Sequence, residues 1–82
     1  MNSDAPTPFR LWGRIEHIGP QEFAVIVTAM PENADPALVQ VLNAIATSRD
    51  EATVLGKALL VKMGEIVRNR EGRVTDIEID GF

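Results

Sequence analysis

Hydrophobic and polar positions alternate from Phe9 to Ile18. Phe9, Leu11, Gly13 and Ile15 fall on one side, and Arg10, Trp12, Arg14 and Glu16 on the other. A period of two is the repeat of a strand buried on one face. Gly19-Pro20-Gln21 then breaks the pattern, as a turn should: proline presets φ and glycine relaxes it. A second alternating run, Glu22 to Ala29, sets Phe23, Val25 and Val27 against Ala24, Ile26 and Thr28. The short connection predicts an antiparallel hairpin. Met30 to Pro36, with two prolines and an asparagine, reads as a loop.

Residues 37–47 fit two periods. Asp35-Pro36 has the form of an N-cap followed by a first-turn proline, and Leu38, Val41, Leu42 and Ile45 have helical spacing. As a strand, the same stretch places Val39, Val41, Asn43 and Ile45 on one face. The strand is the expected state, for two reasons. A helix reaching Ala46 would leave almost no chain before the next helix begins, and a third strand gives a sheet wide enough to carry a long helix.

That helix is expected over residues 49–68. Ser48 and Glu51 have capping-box spacing, in which the serine accepts the N–H of Glu51 and the glutamate reaches back to the N–H of Ser48. Ala52, Leu55, Leu59, Met63 and Ile66 form an apolar stripe. Val54, Leu60 and Val61 widen it and read as extra core contact, and Gly64 is the expected point of close approach to the sheet. Asn69 to Gly72 ends the helix, with Gly72 available for a left-handed turn. Arg73 to Asp80 alternates once more, placing Thr75, Ile77 and Ile79 on one face and Val74, Asp76, Glu78 and Asp80 on the other.

The expected architecture is therefore α+β in the order β-β-β-α-β: a curved, mainly antiparallel sheet with one long helix on one face. The alternative is β-β-α-α-β. Residues 1–8 are expected to be a flexible tail and 9–82 a single domain. A crossover helix after three antiparallel strands makes the fourth strand parallel to the first and third. Charge places it beside the first, with Arg10 and Arg14 facing Asp76, Glu78 and Asp80.

Composition narrows the chemistry. The 82 residues contain no cysteine, which excludes disulfides and thiolate metal sites, and their net charge of −4 opposes non-specific binding to a polyanion. No run approaches the ~18–20 apolar residues of a membrane span. The first residues lack the basic-then-apolar order of a signal peptide, so a cytoplasmic location is expected. His17, the single histidine, has no partner with a local catalytic signature and is expected at the surface. There is no Walker loop or G-x-G-x-x-G. The carboxylates of Asp76, Glu78 and Asp80 have the chemistry of a hard-cation site. Their expected role is a solvated face paired with arginines. The expectation is a non-catalytic chain needing no cofactor or metal.

Trp12 is the sharper feature. With Arg10, Arg14 and Ile26 it lies on the face that the helix is expected to leave open, and tryptophan and arginine are the types enriched at binding hot spots. The expected partner is another protein or a second copy of the chain. A nucleic-acid accessory role, with Trp12 stacking on bases between Arg10 and Arg14, is the alternative.

Gly19-Pro20-Gln21-Glu22-Phe23, Ala29-Met30-Pro31 and Ser48-Arg49-Asp50-Glu51-Ala52 follow one another in an order that resembles the antitoxin-type domain of the HicB family. The likeness runs over most of residues 9–80, with the acidic-glycine turn typical of that family not well kept and without a DNA-binding segment. It implies a β-β-β-α-β domain and a protein-binding module of bacterial type.

Overall fold

A computed structural model describes residues 6–82. Four strands and one long helix follow in the order β1 (Thr7–Gly19), β2 (Glu22–Pro31), β3 (Gln40–Ala46), α1 (Arg49–Asn69) and β4 (Gly72–Asp80). Of the expected tail, residues 1–5 lie outside the described residues. Thr7 and Pro8 already belong to β1, paired with Gly72 and Arg73. The strands form one open sheet in the order β3-β2-β1-β4, antiparallel except for the parallel β1–β4 pair. Placement of β4 beside β1 agrees with the expectation from charge.

Residues 37–47 resolve mainly to the expected strand, Gln40–Ala46, and of the helical signal only the Asp35-Pro36 cap is used. Asp35 accepts the N–H of Ala37 and opens a single 3-10 turn, Pro36–Leu38. The chain then extends into β3, whose Val41 and Ile45 point away from the helix. The preceding loop is shorter than expected, because β2 continues through Met30 to Pro31, which pairs with Phe9.

The core lies between α1 and the inner rows of β1 and β2. Leu11, Val25, Val27, Ala29, Met63 and Val67 are all buried. Burial of each large member contributes about 1.5–3 kcal/mol. Ser48 caps α1 as its spacing requires, accepting the N–H of Glu51 at 3.1 Å. The reciprocal bond is displaced by one residue: Glu51 Oε1 accepts the N–H of Thr47, not of Ser48, at 2.7 Å. Because β3 and β4 are opposite edges, α1 must carry the chain across the whole sheet.

Several expected details change. Val54 and Val61 are 67% and 64% exposed and add nothing to the core; Leu60 alone of the three packs against it. Val74 packs toward the helix with Phe9, because a bulge at Thr75 reverses the alternation along β4. The Thr75 hydroxyl donates to Glu32 Oε2 at 2.6 Å, with the Phe9 carbonyl oxygen at 3.2 Å. Ile77 and Ile79 face the helix side as expected, but they sit on the edge strand and stay half exposed, with Ile77 lining a shallow depression beside Leu60, Val61 and Gly64 of the helix.

The close approaches occur at Gly56 and Gly72, not at Gly64. A Cβ on Gly56 would lie 2.4 Å from the ring of Phe82, which folds between α1 and Gly13. A Cβ on Gly72 would lie 2.8 Å from the Phe9 ring and 2.9 Å from Val67 Cγ1. The left-handed residue at the helix end is Glu71 (φ 58°), and Gly72 fills the crowded position after it.

Gly72→Ala should therefore destabilise the fold by about 1–3 kcal/mol through overpacking. Gly64→Ala meets only the flexible end of Arg68 at 3.4 Å and should be neutral or stabilising by up to about 1 kcal/mol. Urea unfolding of the two variants distinguishes the sites. Ser48→Ala should cost about 1 kcal/mol in the same measurement.

Candidate functional site

Since α1 covers one side of the sheet, the alternate residues of all four strands meet on the other. Register arranges them in rows. Asp76, Arg10 and Met30 lie side by side; then Glu78, Trp12, Thr28 and Val41; then Asp80, Arg14, Ile26 and Asn43; then Glu16, Ala24 and Ile45. The face grades from acidic on β4, through basic and aromatic on β1, to apolar on β2 and β3. All four residues singled out in the sequence, Arg10, Trp12, Arg14 and Ile26, lie on it.

Trp12 stands at the centre and is 47% exposed. It walls two shallow depressions. One, of about 250 Å³, is bounded by Arg10, Thr28, Met30 and Glu78. The other, of about 110 Å³, is bounded by Arg14, Ile26 and Thr28. Met30, Val41 and Ile45 extend the apolar surface, each 44–58% exposed. These three escaped the sequence reading of the site. Met30 lies beyond the expected end of the second strand, and only the β2–β3 register brings Val41 into the Trp12 row and Ile45 onto the same face. A longer alternation through Met30 was the available signal.

The two arginines are both occupied. Arg10 reaches Asp76 at 3.4 Å and Glu78 at 3.7 Å. Arg14 does not pair with the β4 acids as expected. It pairs with Glu16 on its own strand, and its guanidinium carbon lies 5.7 Å from the centre of the Trp12 ring. A cation–π contact at such an exposed site contributes about 0.5–1 kcal/mol and leaves much of the indole accessible. Four carboxylates, those of Glu16, Asp76, Glu78 and Asp80, surround two guanidiniums, so the face is acidic on balance.

His17 is exposed and stacks on Phe23, with ring centres 4.5 Å apart. Among the described residues, no group of three His, Cys, Asp or Glu side chains is placed to hold a metal ion, and no helix is long and apolar enough to cross a membrane. No protein-family model, curated protein or solved structure matches the chain. Its role is therefore read from the chemistry of its surfaces.

The Arg10 cluster is a surface feature in energetic terms, since its three side chains are 58–66% exposed. Arg10→Ala should change stability by less than about 1 kcal/mol. The difference should shrink in high salt, as measured by urea unfolding with and without added sodium chloride.

Proposed function

We propose that this chain is a non-catalytic, cytoplasmic protein-binding module whose docking surface is the open sheet face around Trp12. The observation that carries the reading is a half-exposed tryptophan, in contact with Arg14 and flanked by Met30 and Ile26, on a face that no other element covers among the described residues. Large aromatics beside apolar depressions, rimmed by charge, are the usual anatomy of an interface hot spot. The β-β-β-α-β order is also the order implied by the likeness to the HicB antitoxin-type domain. The assignment to a bacterial type rests on that likeness.

The nucleic-acid alternative fits less well. A phosphate backbone would have to displace Asp76 and Glu78 from Arg10 and Glu16 from Arg14, and would then lie beside Asp80. Binding through counterion release needs free cationic groups, and this face has few to offer.

Trp12→Ala tests the reading. The immobilised wild-type domain should retain a protein partner whose affinity falls by at least about 30-fold in the variant, the equivalent of a 2 kcal/mol hot spot. Circular dichroism should show the fold intact, because the core lies on the opposite side of the sheet. Undiminished binding by a folded variant removes this face from consideration. Binding of a single-stranded oligonucleotide at low salt, lost on raising the salt, would favour the alternative instead.

A further inference from the structure

The two edges of the sheet are built very differently. The β4 edge carries Asp76, Glu78 and Asp80 and is interrupted by the bulge at Thr75. Charge and bulges are the features that keep an exposed strand from pairing with another chain. The β3 edge has neither. Gln40–Ala46, sequence QVLNAIA, contains no charged residue, proline or glycine, and pairs with β2 in unbroken register. Every second residue of an antiparallel edge strand turns its N–H and C=O away from the sheet. Among the described residues, β2 is the only strand paired with β3.

The sequence of this edge is also self-complementary. Two copies laid antiparallel about Asn43 bring Val41 opposite Ile45 of the second copy, twice over by symmetry. Leu42 then faces Ala44, Gln40 faces Ala46, and Asn43 faces its own equivalent on the axis. On the open side these are β-branched pairs, whose members are 53% and 58% exposed in the single chain. On the helix side a large residue meets a small one. On the axis two amides meet, each able to donate and to accept.

No other edge combination serves as well. Pairing of β4 with itself would set carboxylates against carboxylates. Pairing of β3 with β4 of the next copy is head-to-tail and need not close, whereas β3 on β3 closes as a two-fold dimer. We propose that two copies of this chain pair antiparallel along β3, forming one continuous eight-stranded sheet. The two-fold axis is perpendicular to that sheet, so both helices lie on one side and both Trp12 faces on the other. The proposal does not depend on the open face binding a partner, since the contact is the edge and not the face. Its consequence is a pair of such faces side by side. It also gives a small domain added buried surface.

Sedimentation equilibrium of the full chain is the test. Wild-type protein should have twice the mass of one chain at about 100 μM and move toward monomer on dilution. Asn43→Lys and Asn43→Glu each place like charges across the axis at an exposed position, and each variant alone should be monomeric. An equimolar mixture of the two should recover the dimer. Trp12→Ala should leave the dimer intact. Amide exchange on the wild-type protein gives a reading independent of any variant: the outward amides of residues 40–46 should be protected at high concentration and lose that protection on dilution. A wild-type monomer with freely exchanging edge amides overturns the proposal. So does a dimer that survives both Asn43 variants. A dimer abolished instead by Trp12→Ala would also overturn it, and would assign self-association to the open face.

Discussion

Packing of α1 on the inner rows of β1 and β2 is the interaction on which the rest of the domain depends. With no cysteine to add a cross-link, burial and backbone pairing must supply the stability. The helix buries Met63 and Val67 against Leu11, Val27 and Ala29, and Ala52 against Ile15, Phe23 and Val25. One helix covers one side of a sheet, so this packing also determines which residues remain outside it.

Two surfaces follow from that constraint. The uncovered side collects Arg10, Trp12, Arg14, Ile26 and Met30, with an acidic border contributed by β4. The path of α1 across the sheet leaves both edge strands exposed. Of these, β4 is protected by carboxylates and a bulge, whereas β3 is uncharged and regular. The contrast sets the edge apart from the face. Backbone groups and a symmetric side-chain pattern are what the proposed pairing would use at the edge, while an exposed aromatic beside shallow depressions is what the proposed docking would use on the face. A β3 dimer would leave both open faces accessible, so the two proposals are compatible.

Much of this was legible locally. The alternation of β1 and β2, the cap at Ser48, the helical stripe and the pairing of Arg10 with the β4 acids each rest on neighbouring residues or simple charge complementarity. What was misread depends on contacts between distant segments. The bulge at Thr75 reverses the side on which Val74 lies, and no short-range signal marks it. Gly72 has the residue type expected at a left-handed helix end, yet Phe9 and Val67 crowd its Cβ position and the positive φ falls on Glu71. Val54 and Val61 look like core in a helical projection, but the helix crosses the sheet with both turned to solvent.

Outside residues 37–47, where two periods compete, the sequence by itself determined the element types and the face on which Trp12 lies, because a period of two and a period of 3.6 are properties of the local backbone. The path of the helix decided which apolar residues were covered, since burial depends on what lies opposite a side chain and not on its own periodicity. Strand register placed Val41 and Ile45 beyond Trp12 and left β3 as an edge. Register is a relation between segments far apart in the chain, and it is specified only when the buried face of each strand meets the same core.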